Sequence, residues 1–439
     1  MKEASVRLRV EPGATLSGAT KVPGDKSIAH RWLILAGTAS GRSVLRGLPD
    51  GLDVRSTAAC MAALSGSEAL TEWAAGPSGT LVVDGDGWTG LAAPAAPLDC
   101  GNPGTTMRML SGVMAGCDFA GELAGDESLS RRPMERVAEP LRLMGADVRT
   151  TDGHAPMTIR GGSLEGIRYE LPVPSAQVKS AVLFAGLNAE GLTTVVEPAA
   201  GRNHTEVALA ALGAPLGVEG DVITIAAFQH DGFEGDVPGD PSSAAFVIGA
   251  AAVTGSKVAV RDVCLNPSRT AFVNVMRRMG MRIGEQERWE SLGEPAGVLE
   301  VDGTGPLRGA VVSAAELPLV IDEVPVLAAL AAHAEGASRF EGAGELRLKE
   351  SDRIAGIVDG IVGMGGEARV EGDTLIIGGG GLTGGSVSGA NDHRIAMALS
   401  VAALGARGDS FIDGMEWASI SFAGFVDVLV SLGARAETT

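Results

Sequence analysis

An apolar helical pattern that stops at a glycine recurs along this chain. The copies are Met144-Gly145-Ala146, Leu212-Gly213-Ala214, Met279-Gly280-Met281, Met364-Gly365-Gly366 and Leu432-Gly433-Ala434, with Leu64-Ser65-Gly66 as a weaker sixth. Glycine has no Cβ and enters the left-handed conformation that terminates a helix, and a strand-like segment usually follows. Spacings of roughly 70 to 85 residues predict six units of mixed α and β structure. A second phrase divides the six into two sets of three. Val22-Pro23-Gly24-Asp25-Lys26-Ser27 is echoed by Val237-Pro238-Gly239-Asp240-Pro241-Ser242, each opening a helix-like run with a serine placed to cap it. Pro-Gly-Asp is also a common turn composition, so coincidence is the bland alternative. The echo predicts crossings near residues 22 and 238. Residues 23–237 then form one domain, and residues 1–22 add a strand to a second domain of 238–439.

Length agrees with two domains, since 439 residues exceed what one core usually organises. The formal charge of −19 argues against a nucleic-acid partner, whose affinity depends on many Lys and Arg contacts to phosphate. Cys60, Cys100, Cys117 and Cys264 are far apart and make no C-x-x-C pair, which predicts free thiols and neither disulfides nor a zinc site. The polar stretch Met1 to Thr15 gives no sign of a signal peptide, and the apolar runs 244–253 and 324–332 are too short for a bilayer. A cytoplasmic protein is the expectation.

Three cationic runs stand out in so acidic a chain: Gly24-Asp25-Lys26-Ser27 leading to Arg31, Lys349-Glu350-Ser351-Asp352-Arg353, and Asp392-His393-Arg394. Lys and Arg beside carboxylates and small residues suit a small, multiply anionic substrate, captured by local charge. Lysine occurs only at positions 2, 21, 26, 179, 257 and 349. Lys26 and Lys349 therefore carry weight, because an ammonium has an adjustable pKa and a guanidinium does not. The pattern points to an enzyme for phosphorylated carboxylates.

Other motifs admit blander readings. Gly85-x-Gly87-x-x-Gly90 resembles a dinucleotide fingerprint, but Pro94 and Pro97 fall where its helix should run, so a turn is favoured. Residues 378–385 read as a hairpin or loop, and no phosphate-binding G-x-x-x-x-G-K-[ST] occurs. Gly101 to Arg108, which contains Gly104, precedes an apolar helical run, Met109 to Met114, and glycine and hydroxyl residues at such an N-terminus favour an anion or simply begin a helix. Ser175 and Gln177 are ambiguous in the same way. Arg132 and Arg202, taken singly, read more readily as solvated charges than as ligands. His30, His204 and His393 lie beside arginines, whereas His154, His230 and His333 show no partner. Asp322-Glu323 interrupts an apolar stretch, and a carboxylate buried there needs a partner or a use. Asp322 is the general-base candidate, with Glu350 as the second carboxylate.

Together these residues resemble one family, the enolpyruvyl transferases, and within it the branch acting on shikimate 3-phosphate. The likeness runs through residues 23–31, Gly101 to Arg108, Ser130 to Met134, Ser175-Ala176-Gln177, Arg202, Asp240 to Ala244, Ile321-Asp322-Glu323, Arg347 to Arg353 and Asp392 to Met397. The resemblance implies an α/β fold of two domains, an inside-out α/β barrel built from six βαβαββ repeats and closing on substrate. It implies transfer of the enolpyruvyl group of phosphoenolpyruvate to the 5-hydroxyl of shikimate 3-phosphate, in the pathway to chorismate and the aromatic amino acids, with no metal or organic cofactor. Lys26, Asp322 and Glu350 would be catalytic, with Lys26 touching both substrates. Shikimate 3-phosphate would meet Ser27, Arg31, Ser175, Gln177, Arg202 and Lys349. Phosphoenolpyruvate would meet Lys26, Gly104, Arg132, Arg353 and Arg394. A monomer is implied.

Pro103, Ala29, Ile420 and Ala423 depart from the family's usual residues, and Ile420 stands where some members carry a substrate-contacting lysine. Three alternatives stay open: a UDP-N-acetylglucosamine enolpyruvyl transferase, a biosynthetic paralogue using another ring alcohol, and a non-enzymatic anion-binding protein. Against the last stand two carboxylates in an anion site.

Overall fold

The structure is a computed structural model that describes residues 6–76 and 79–439. Two compact units emerge, one of Gly24–Val237 with Glu290–Glu294, the other of the residues through Pro23 with Pro238–Trp289 and Pro295–Thr439. Residues 1–5 of the expected N-terminal segment lie outside the described residues. The segment after them supplies two strands where one was expected: Arg7–Glu11 pairs with Ser410–Asp413 and Arg435–Thr438, and Ser17–Lys21 pairs with Lys257–Cys264.

Both units repeat one topology. In the first unit, the three principal sheets each start on a parallel pair and continue antiparallel. Glu234–Asp236 runs parallel to Ser40–Arg46, Leu98–Asp99 to Ala120–Ala124, and Arg168–Glu170 to Leu192–Val196. The antiparallel strands follow at Leu81–Asp86, at His154–Arg160 with Asp147–Thr151, and at Val222–Ala226 with Leu216–Glu219. In the second unit the parallel pairs are Ser386–Ser388 with Ser410–Asp413, Ser17–Lys21 with Lys257–Cys264, and Val311–Val312 with Ser338–Phe340. Each belongs to a four-stranded sheet. Parallel neighbours require a crossover, and helices provide it.

All six helix-stop phrases end helices on glycines in the left-handed region. Gly66, Gly145, Gly213, Gly280, Gly365 and Gly433 have φ between 69° and 114°. They follow the helices Leu52–Ser65, Glu135–Leu143, His204–Ala211, Ala271–Arg278, Arg353–Gly363 and Phe425–Ser431. Strands come next after five of them, but after Gly66 a helix, Glu68–Ala75, intervenes. The other long helices are the buried ones. Pro241–Val253, Val324–Ala332 and His393–Leu404 lie almost wholly in the core of the second unit, as Lys26–Thr38, Gly104–Ala115 and Ala176–Gly186 do in the first. Sheets lie outside these central helices. The central helices approach closely at glycine, since a Cβ on Gly112 would lie 2.1 Å from the Ala181 carbonyl oxygen.

One expectation is corrected at the echoed phrases. The caps are Asp25 and Asp240, not the serines two residues later: Asp25 Oδ1 accepts from Ile28 N at 2.9 Å, and Asp240 Oδ1 from Ser242 N at 2.8 Å. Ser27 and Ser242 are already inside their helices. The three histidines with no partner legible in the sequence are also bonded: His154 Nδ1 to Asp152 O at 2.7 Å, His230 Nδ1 to Asp231 O at 3.1 Å and His333 Nε2 to Ala402 O at 2.8 Å.

Buried histidines give the fold a pH dependence. Burial holds His30, fully enclosed and bonded through Nδ1 to Thr57 Oγ1 at 2.6 Å, well below the ordinary histidine pKa, and Lys26 and Arg31 push the same way. Burial also lowers His230 and His333. Below about pH 6.5 the unfolded chain takes up protons that the folded chain refuses, so stability falls as pH falls. A fully buried histidine contributes a slope of up to about 1.4 kcal/mol per pH unit. The urea midpoint is expected to drop between pH 7.5 and 5.5, and to drop less in His30→Asn, which keeps a partner for Thr57. Identical pH dependence in the variant would exclude His30 as a source.

Candidate active site

In the first unit, the Asp25 cap starts the Lys26–Thr38 helix so that Lys26, Ser27 and Arg31 occupy its first turns. Lys26 Nζ donates to Asp53 Oδ2 at 2.7 Å. Arg31 is buried and donates from Nη1 to Ser27 O at 2.7 Å, from Nε to Thr205 Oγ1 at 2.6 Å and from Nη2 to Ser180 Oγ at 2.9 Å. Burial lowers its pKa, against the pull of Glu206 and Asp25.

Gly104 is the first residue of its helix. Pro103, at the capping position, offers no side chain to the helix N–H groups. A Cβ at Gly104 would lie 2.8 Å from Arg108 Nη1. Arg108 in turn donates to Gln177 Oε1, and Gln177 Nε2 donates to Thr105 Oγ1 at 2.8 Å. Burial, with Arg136 and Arg132 nearby, lowers the Arg108 pKa. Arg132 Nη2 donates to Asn102 Oδ1 at 3.0 Å and Ser128 Oγ at 3.1 Å. Ser175 caps the Ala176–Gly186 helix, its Oγ accepting from Val178 N at 3.4 Å. Arg202 sits just before the His204–Ala211 helix, close enough to Arg31 for mutual repulsion.

In the second unit, Asp322 occupies the turn between the helices Leu317–Val320 and Val324–Ala332. Its Oδ1 lies 3.5 Å from Arg353 Nη1, its Oδ2 3.8 Å from Arg394 Nη2, and its main-chain carbonyl accepts from Arg394 Nη1 at 2.9 Å. Glu350 Oε2 is 2.6 Å from Arg353 Nη2. Arg353 Nε donates to Asp392 Oδ2 at 2.8 Å, and Asp392 Oδ1 caps the next helix by accepting from Arg394 N at 2.8 Å. Burial disfavours the Arg353 charge, yet Glu350, Asp392 and Asp322 together hold its pKa above the ordinary arginine value. Burial likewise opposes Asp392 ionisation, and Arg353 and His393 still keep its pKa below the ordinary range. Burial lowers the Lys349 ammonium against the attraction of Asp322.

Asp322, Glu350, Arg353 and Arg394 are thus one linked cluster, with Lys349 in its field. The fully buried carboxylate of the Asp322-Glu323 pair is Glu323, which accepts from Ser242 Oγ; Asp322 retains 16% side-chain exposure. Sequence reasoning misses Asp392, although it belongs to the third cationic run, and Arg108, although it closes the Gly101 loop. Asp53 carried no local signal, because its partner Lys26 is 27 positions away. Among the described residues no group of three or more His, Cys, Asp or Glu could hold a metal ion, and no helix is long and apolar enough to cross a membrane.

Comparison with known proteins fits this geometry. The sequence model of the family described as EPSP synthase (3-phosphoshikimate 1-carboxyvinyltransferase) matches residues 10–429. A 3-phosphoshikimate 1-carboxyvinyltransferase of Halorhodospira halophila is 46% identical over 438 residues, covering 98% of this chain and 96% of that one. One of Methylococcus capsulatus is 44% identical with both chains fully covered. An EPSP synthase structure from Acinetobacter baumannii superposes with a TM-score of 0.89 at 39% identity, covering 99% of this chain and 100% of that one. The fold is the inside-out α/β fold of enolpyruvyl transferases, with six repeats as the sequence implied. Central buried helices, peripheral mixed sheets, a guanidinium-carboxylate cluster and full-length similarity agree, and the chain belongs to the EPSP synthase family.

Proposed function

We propose that this protein is an enzyme transferring the enolpyruvyl group of phosphoenolpyruvate to the 5-hydroxyl of shikimate 3-phosphate, releasing phosphate. The observation that carries the reading is the cluster of Asp322, Glu350, Arg353, Asp392 and Arg394, which holds two incompletely buried carboxylates beside two fixed cations in a chain of this family. Guanidinium groups with fixed orientation suit the carboxylate and phosphate of phosphoenolpyruvate and stabilise charge developing on a tetrahedral intermediate.

The acceptor oxygen bonds to C2 of phosphoenolpyruvate as its proton passes to Asp322, while Glu350, having taken a proton from solvent before the step, delivers it to the C3 methylene. Phosphate then leaves C2 and Glu350 recovers a proton from the new methyl group, restoring the alkene. The acceptor proton departs with phosphate or to solvent. Lys26 touches both substrates and joins the proton transfers. Ser27, Arg31, Ser175, Gln177, Arg202 and Lys349 hold shikimate 3-phosphate; Lys26, Gly104, Arg132, Arg353 and Arg394 hold phosphoenolpyruvate. The two units act as domains of three repeats each. Residues 23–237 offer most acceptor ligands, and the other carries Asp322, Glu350, Arg353 and Arg394. The protein works in the cytoplasm as a monomer.

Phosphate release from phosphoenolpyruvate tests the reading. Release is expected with shikimate 3-phosphate present and not with UDP-N-acetylglucosamine, from a species sedimenting at 44.5 kDa. No release with shikimate 3-phosphate would overturn the assignment.

A further inference from the structure

Behind Arg31 lies a buried ionic group that the proposed chemistry does not use. Lys179, with 1% side-chain exposure, places Nζ 2.7 Å from Glu197 Oε2 and 2.6 Å from Glu206 Oε1. The second oxygens, Glu197 Oε1 and Glu206 Oε2, are buried and have no hydrogen-bond partner among the described residues. An apolar trio of similar volume would stabilise the fold as well or better, so an ion cluster this incompletely bonded is poorly explained by stability alone.

Its neighbours suggest the use. Lys179 and Ser180 are adjacent on the Ala176–Gly186 helix, and Thr205 and Glu206 are adjacent on the His204–Ala211 helix. The two helices are therefore tied at consecutive positions, by Lys179 with Glu206 and by Ser180 with Thr205 at 2.6 Å. The direction of the hydroxyl chain is fixed by proton counting. Ser180 gives its only proton to Ala176 O at 2.6 Å, so Thr205 donates to Ser180 and uses its lone pairs to accept from Arg31 Nε. The chain runs one way, from the guanidinium through Thr205 and Ser180 to a helix carbonyl. Arg31, Lys179, Glu197 and Glu206 sum to zero formal charge, and Glu206 favours the charged form of Arg31 against burial. The same two helices begin beside Ser175, Gln177 and Arg202.

We propose that Lys179, Glu197 and Glu206 are positioning residues for the phosphorylated acceptor: they lock two helix starts and the Thr205–Ser180 pair so that Arg31 and its neighbouring acceptor ligands are preorganised. The inference rests on the function proposed above. A preorganised ligand set loses affinity when its support loosens, and the loss falls on the substrate it holds.

Glu206→Gln removes one charge and almost no volume. It is expected to raise KM for shikimate 3-phosphate about tenfold, with KM for phosphoenolpyruvate and kcat within about twofold. Thr205→Val is expected to do the same, and the double variant to match either single one, because both act through one chain of contacts. Should Glu206→Gln fail to fold, Glu197→Gln and Thr205→Val carry the same test. Equal changes in both KM values, additive effects, or an unmoved acceptor KM in a folded variant would overturn the inference alone. An inactive wild-type protein would overturn the function beneath it.

Discussion

Asp322→Asn is expected to fold like the parent protein and to lose about 10²- to 10⁴-fold in kcat, the contribution of a positioned general base. The reason lies in what the substitution keeps. The shorter contact of Arg394, at 2.9 Å, goes to the Asp322 main-chain carbonyl, which asparagine retains, an amide oxygen can still face Arg353 Nη1, and only the 3.8 Å pairing of Oδ2 with Arg394 Nη2 is given up. Turn geometry and the shorter hydrogen bonds are therefore preserved, while one carboxylate charge, and with it the proposed capacity to take the acceptor proton, is gone. The urea midpoint should stay close to that of the wild type, and the loss should appear in kcat, because the proton is taken only as the hydroxyl attacks. Steady-state kinetics with both substrates saturating, together with urea unfolding, checks this. A folded variant retaining more than about a tenth of wild-type kcat would remove Asp322 from the base role.

How far the sequence leads toward this site depends on the distance over which its physics acts. Left-handed glycines are a local requirement, and Gly66, Gly145, Gly213, Gly280, Gly365 and Gly433 mark the repeats because each must end a helix. The cap at the echoed phrases went to aspartate because a carboxylate one residue before the helix reaches the free N–H groups, whereas Ser27 and Ser242 have already joined the helix. The Arg353–Glu350 pair was legible because its members are three residues apart. Lys26 with Asp53 and Lys179 with Glu197 were not, since nothing in either segment names its partner until the chain has folded. Asp322 and Glu323 show the limit most closely. Hydropathy marks a carboxylate pair inside an apolar run, but only the turn between two helices decides that Glu323 is buried on Ser242 while Asp322 stays partly exposed.

The largest loss of stability is expected at Arg353. Its guanidinium is 1% exposed and lies between Asp392 at 2.8 Å, Glu350 at 2.6 Å and Asp322 at 3.5 Å, with Asp392 itself fully buried. Arg353→Met fills nearly the same volume and leaves those carboxylates without their common cation. Breaking a buried ion pair from one side costs about 3–5 kcal/mol, because the remaining charge stays desolvated. The pH dependence separates this cause from simple mispacking. In the wild type the Asp392 pKa is held below its ordinary value, so the pairing stabilises the protein above about pH 4 and is lost as pH falls through the folded pKa. Without Arg353 the main opposition to burial is gone, leaving only His393 and the bonds from Arg394 N and Ser351 Oγ to favour the carboxylate, so Asp392 takes up a proton more readily than in the wild type and acid relieves part of the defect. The stability difference between the two proteins should therefore narrow from pH 7.5 to pH 5. Urea unfolding of both at the two pH values measures it, and a gap that stays constant would mean that lost packing, not stranded charge, explains the variant.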